Sequence, residues 1–196
     1  TVLNEQQLRV TFNESMDVGS IQAADFVISS GETVSSITLD DEFGTSVLIN
    51  LATAFEKGVS LTLTVENLND CAGNTVASNA STFFLGATPA ANELVITEIM
   101  ANPSPTQGLP EVEYLELYNT SSKILSTNGH SLSDASNTTT LPIADIQPGA
   151  YLLLVGSSNT DEFTGIDLAG VSSFPSLNTS GDSIAIANGT DLIFDV

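Results

Sequence analysis

The sequence predicts an all-β chain built from two antiparallel β-sandwiches in tandem. Three observations lead there. Helical periodicity is nearly absent, and short alternating runs of apolar and polar residues recur between clusters of Gly, Asn, Asp, Ser and Pro. The 196 residues, 41% of them hydrophobic, have room for two cores of ordinary size. Gly86-Ala-Thr-Pro-Ala-Ala-Asn92 combines small residues with a Pro and carries no large apolar side chain, so it reads as a boundary. The expected division is therefore 1–86, a short linker 87–92, and 93–196.

In the first unit, Leu8 to Phe12 is the first clear strand, with Leu8, Val10 and Phe12 on one face. Val34 to Leu39, Ser46 to Leu51 and Ser60 to Val65 follow with the same period of two. Leu61, Leu63 and Val65 should point inward while Thr62 and Thr64 meet solvent. Thr82 to Leu85 closes the unit. Asp17 to Asp25 holds the one segment suited to a helical turn, anchored by Ile21, and Met16 and Phe26 suit core positions. Asp70 to Asn74 is a turn in which Gly73 and Asn74 can both take positive φ.

In the second unit, Val95, Thr97 and Ile99 should alternate against Leu94, Ile96, Glu98 and Met100. Leu115 and Leu117 should face one way, and Tyr114, Glu116 and Tyr118 the other. Ala150 to Val155 is too apolar to alternate and should be buried on both faces. Ser183 to Ala187 and Leu192 to Phe194 should form a hairpin around Asn188-Gly189.

Two resemblances add to this reading. Leu94-Val-Ile-Thr-Glu-Ile-Met-Ala-Asn-Pro103, Glu113-Tyr-Leu-Glu-Leu-Tyr-Asn119, Gly129-His-Ser-Leu-Ser-Asp134, Pro148-Gly-Ala-Tyr-Leu-Leu-Leu-Val155 and Ser180-Gly-Asp-Ser-Ile-Ala-Ile186 follow one another at the spacing of a lamin-tail domain. That half resembles this family over about residues 93–196. Val10-Thr-Phe-Asn-Glu-Ser-Met-Asp17, Ala24-Asp-Phe26, Leu61-Thr-Leu-Thr-Val65 and Asp70-Cys-Ala-Gly-Asn74 resemble the bacterial immunoglobulin-like domain of surface-layer and other cell-envelope proteins, over about residues 5–85. Both resemblances imply immunoglobulin-like sandwiches that space, tether or bind, and neither implies catalysis. The lamin-tail family usually has Trp where this chain has His130, and often Trp where it has Tyr114. The resemblance thus implies a smaller or rearranged core there.

The charge balance narrows the partners. Three Lys and Arg against 24 Asp and Glu leave a formal net charge of −21. Such a field repels phosphate backbones and anionic lipid, so no nucleic acid is expected as a partner. No apolar run approaches the ~20 residues that span a bilayer, so direct membrane insertion is not expected either. Cations, above all calcium, and neutral polar surfaces such as glycans are the favoured company, while the bland alternative is solubility in a salty extracellular medium. Cys71 stands alone, which rules out an intramolecular disulfide. With no initiator Met and no export signal at Thr1, the sequence reads as a piece of a longer secreted or cell-surface bacterial protein.

Candidate chemistry is sparse. His130 is the only histidine, and any Ser-His-Asp or Cys-His arrangement would have to use it. The motifs of a nucleophile elbow, a zinc protease and a P-loop are all missing. Glu98 and Glu116, on the first two strands of the second half, sit where the resemblance commonly places acids, with Glu111 and Glu113 approaching along a loop. If those strands pair, the two carboxylates could share a cation or do acid/base work. Asp40-Asp41-Glu42 is the densest acidic cluster of the first half and a second candidate metal site, although it lacks an EF-hand register. Asp161, Glu162 and Asp167 form a weaker third. Tyr114 and Tyr118 are the candidate ligand platform.

No cofactor is expected, with calcium the one candidate. The leading functional reading is a non-catalytic spacer or tethering pair, adhesion being its wider context, with the neighbouring domains of a longer chain and protein or glycan at the cell surface as partners. The alternative is a calcium-dependent or glycan-binding accessory module beside a secreted hydrolase. A carboxylate hydrolase built on Glu98, Glu116 or Glu113 comes third.

Overall fold

The structure, a computed structural model, describes residues 1–105 and 108–196. Contacts divide the chain into Thr1–Leu85 and Gly86–Val196. The span 87–92, expected as a linker, lies within the second unit: Ala87 is buried and forms a parallel bridge to Leu125, and the Asn92 amide donates to the Ile193 carbonyl. Small residues suit this stretch because the backbones run close together. A Cβ on Gly86 would lie only 2.7 Å from the Ser126 Cβ.

The first unit contains β1 (Val2–Asn4), β2 (Gln7–Thr11), β3 (Phe26–Ile28), β4 (Val34–Leu39), β5 (Ser46–Leu51), β6 (Leu61–Val65) and β7 (Asn79–Phe83). One sheet runs β1-β2-β5-β4 and the other β3-β6-β7, with every pairing antiparallel. Alternation sets the register. Leu8 pairs with Ile49 and Val10 with Val47 on the inner row of one sheet. Phe26 pairs with Val65 and Ile28 with Leu63 on the other. These residues, with Leu51, Leu61, Met16, Phe55 and Leu68, form one buried cluster.

Some expectations shift. Two short strands, β1 and β3, go beyond those read from the sequence. The closing strand begins three residues earlier, because Phe83 pairs with Leu61 and packs edge-on against Phe55 at 5.3 Å. The expected helical turn is two 3-10 turns, Val18–Ser20 and Ala23–Asp25. Asp17 accepts from the Gly19 amide to start the first turn, and Ile21 between them packs on the core. Gly73 takes φ 86 as expected, but Asn74 does not take positive φ. Its amide and side chain instead donate to Asp70.

The second unit contains β8 (Leu94–Met100), β9 (Tyr114–Asn119), β10 (Leu125–Ser126), β11 (His130–Ser133), β12 (Thr138–Thr140), β13 (Asp145–Ile146), β14 (Tyr151–Gly156), β15 (Leu168–Val171), β16 (Ala185–Asn188) and β17 (Asp191–Asp195). Its main sheets run β15-β14-β9-β8 and β12-β11-β16-β17, with β10 and β13 as a separate ribbon. Leu94, Leu115, Leu117, Leu152 and Leu154 from the first sheet meet Leu132, Ile186 and Ile193 from the second in one core. As the apolar run predicts, β14 is buried on both faces from Leu152 to Val155, but Tyr151 at its start is exposed. Leu152 and Leu154 join that core, while Leu153 and Val155 join Tyr114 in a smaller cluster outside it.

Two details depart from plain antiparallel alternation. The 3-10 segment Ser157–Glu162 carries the chain back far enough for β15 to lie parallel to β14, with Leu153 opposite Leu168. The last hairpin turns on Gly189-Thr190 rather than Asn188-Gly189, since Asn188 still pairs with Asp191. Gly189 has φ 60 and Thr190 is not positive, which fits a II′ turn led by Gly.

Candidate functional site

The expected alternation along β8 fails at one residue. The register slips between Ile96 and Glu98, leaving Thr97 as the extra residue of a bulge. Leu94 and Ile96 face the core. Past the bulge the phase reverses, and Glu98 swings to the outer face directly opposite Glu116. The Thr97 hydroxyl locks the bulge by donating to the Glu116 side chain at 2.8 Å. Glu98 in turn accepts from the Tyr114 hydroxyl at 2.8 Å. Both carboxylates therefore stand on one rung of one face, each accepting from a hydroxyl.

Tyr114 does not serve as a ligand platform. It is only 3% exposed, packed edge-on against Phe163 at 5.8 Å. Burial, the hydrogen bond to Glu98 and the negative charges of Glu98 and Glu116 push its hydroxyl up to about 12. Tyr118 instead pairs with Tyr151, which the sequence reading did not single out. Their ring centroids are 4.6 Å apart with planes tilted by 36°, and Tyr151 is 51% exposed. Register places Val95, Tyr118 and Tyr151 side by side across three strands. Only pairing could reveal Tyr151, because a period of two says which face a residue occupies and not which strand lies beside it.

The acidic cluster of the first unit does not converge. Asp40 is held by Arg9 at 2.6 Å and also accepts from Ser46. Asp41 turns back on its own loop, accepting from the Thr45 hydroxyl and from the Thr45 and Phe43 amides, which holds its carboxyl below the ordinary range. Glu42 is exposed. Among the described residues no group of three or more His, Cys, Asp or Glu is placed to hold a metal ion, so Asp40, Asp41, Glu42, Glu98 and Glu116 form no such cage.

The remaining candidates are equally local. His130 is 1% exposed, and its Nδ1 must carry the proton because it faces the Asn128 carbonyl at 3.1 Å. Its Nε2 is buried and meets no hydrogen-bond partner among the described residues. Cys71 is exposed in the turn that Asp70 organises. Glu111 and Glu113 line a polar cleft of about 430 Å³ with Ser157, Ser158 and Asn159, where Glu113 accepts from the Leu177 amide.

A description of the lamin tail domain matches residues 87–195. The chain belongs to the lamin-tail domain family. Ahead of the lamin-tail unit, a description of the bacterial Ig-like domain matches residues 1–85. Solved structures similar to this chain include the N-terminal part of the bacterial S-layer protein SbsC, at 14% identity and TM-score 0.40, covering 99% of this chain and 41% of that one. Domains 1–6 of the same surface layer protein are similar at 11% identity and TM-score 0.40, covering 98% and 39%. The chain thus spans about two fifths of the length of each of these solved chains. No curated protein matches it. Within the lamin-tail unit, both positions where the family resemblance implies Trp are buried, filled by His130 and by Tyr114 with Phe163 beside it.

Proposed function

We propose that this chain is a non-catalytic pair of structural modules that spaces or tethers neighbouring domains of a large secreted or cell-surface bacterial protein, with adhesion as its wider context. One observation carries this reading: each unit closes a separate hydrophobic core from one contiguous segment. A segment with its own core can be strung between other domains without borrowing residues from them. The bacterial Ig-like and lamin-tail matches support a modular surface protein. The net charge of −21 favours solubility and disfavours nucleic acid. Among the described residues no helix is long and apolar enough to cross a membrane.

The test is to produce residues 1–85 and 86–196 separately. Each should melt cooperatively, near its own transition in the full chain. If either remains unfolded alone, the modular reading fails. Hydrolysis that appears on a broad substrate panel and disappears in Glu116→Gln would replace it with an enzyme.

The accessory-module alternative keeps one supporting observation, the Tyr118–Tyr151 pair. Its calcium form loses support from the dispersed carboxylates.

A further inference from the structure

The outer face of the sheet β15-β14-β9-β8 is graded along its strands. At one end Met100, Tyr114 and Val155 are closed over by Phe163 and Leu168. The next rung sets Glu98 against Glu116. The rung after that presents Val95, Tyr118 and Tyr151, with Tyr151 half exposed. Same-face rungs lie about 7 Å apart, within the span of one long side chain.

We propose that this face docks a cationic, arginine-bearing segment of a protein partner, its guanidinium lying on the Tyr118–Tyr151 pair and reaching Glu98 and Glu116. Charge complementarity argues for that occupant. Like charges directly opposite on neighbouring strands destabilise a sheet. The chain offers this pair no cation of its own, because all three are engaged elsewhere: Arg9 with Asp40 at 2.6 Å, Lys57 with Glu5 at 3.5 Å and Lys123 with Glu93 at 2.8 Å. The Thr97 bulge creates the pair, since unbroken alternation would send Glu98 to the core side. Bulges that re-aim one side chain are a recurrent device beside binding sites.

Guanidinium fits better than the alternatives. It is planar and weakly hydrated, stacks on aromatic faces and donates to two carboxylates at once. Calcium wants six to eight oxygens, whereas this face supplies two carboxylates, each already accepting from a hydroxyl. The proposal is independent of the spacer role, because the separate folding of the two units does not bear on it.

The test titrates the full chain with the peptide Gly-Arg-Ser-Arg-Gly at low ionic strength, following amide chemical shifts. Saturable shifts should centre on Val95, Glu116, Tyr118 and Tyr151. The double variant Glu98→Gln, Glu116→Gln and the single variant Tyr151→Leu should each weaken binding about fivefold, the scale of an exposed ion pair or cation–π contact. Tyr151→Leu keeps an apolar residue at the site, and unchanged melting temperatures confirm that both variants fold. Asp191→Asn with Asp195→Asn removes the same charge from the other sheet and should leave affinity within about twofold.

Three results would overturn the proposal. One is equal binding of the lysine analogue Gly-Lys-Ser-Lys-Gly with no loss in Tyr151→Leu. Another is equal weakening by the Asp191 and Asp195 control. The third is tighter engagement of the same amides by maltohexaose or by calcium chloride than by the peptide.

Discussion

Asn119 is fully buried and uses both ends of its side-chain amide. Its Nδ2 lies within donating distance of the Lys123, Ile146 and Gln147 carbonyls, and its Oδ1 accepts the Ser121 amide and hydroxyl. A single residue thus ties the end of β9 to the β10 and β13 ribbon. Asn119→Ala leaves buried carbonyls without a donor and should destabilise the second unit by about 2–4 kcal/mol, read as a fall in its denaturant midpoint. A change below about 0.5 kcal/mol would remove Asn119 from this role. The local signal was readable, since Asn followed by Thr-Ser-Ser is Asx-turn chemistry. The three distant carbonyls were not, because they come from chain 4 to 28 residues away.

Tyr114 gives the matching pH prediction. Its folded-state value of about 12 lies above the unfolded value of about 10, so the stability it contributes is complete below pH 10 and is lost as pH rises toward 12. Alkaline titration followed by tyrosinate absorbance should show a late step, near pH 12, from Tyr114. In Tyr114→Phe the late step should vanish. A late step that survives that substitution would assign the perturbed hydroxyl elsewhere.

At the scale of elements, the strands read well wherever alternation or a solid apolar run reported burial. Val34–Leu39 and Ser46–Leu51 appear with the bounds expected, and β14 is buried on both faces from Leu152 to Val155, though not at Tyr151. The sequence hid what depends on the neighbouring strand. Thr97 looks like an ordinary outward residue, yet pairing with β9 makes it the bulge that reverses β8. Deleting Thr97 should close the bulge into a regular ladder, because removing the extra residue keeps Ile96 opposite Leu117 and Glu98 opposite Glu116. Thermal melting should then show a loss of only about 1 kcal/mol, the scale of the lost hydrogen bond from the Thr97 hydroxyl to Glu116. A deletion variant that loses several kcal/mol would show instead that Glu98 or a core residue has changed face. The parallel β14–β15 pair was hidden for a related reason: strand direction follows from the path of the connecting segment, not from side-chain period.

At the scale of the whole molecule, charge acts through its sum. With a formal net charge of −21 and three Lys and Arg, all paired locally, most carboxylates have no cationic partner. Added monovalent salt should screen that repulsion and raise the melting temperature between about 0.01 and 0.5 M, where the Debye length falls from about 30 Å to a few Å. A melting temperature that falls with salt would mean that the local ion pairs outweigh the collective field. Calcium should then act as little more than ionic strength, because no carboxylate cage is assembled for it among the described residues.

By itself the sequence determined the all-β class, the two-unit division, most strand positions, the buried faces and the lamin-tail membership, since each is written in residue types at local spacings. The tertiary structure decided which strands lie side by side. That choice buried Tyr114, paired Tyr118 with Tyr151, scattered Asp40, Asp41 and Glu42, and set Glu98 against Glu116. Such outcomes depend on register between segments far apart in the chain, where a slip of one residue sends a side chain to the opposite face.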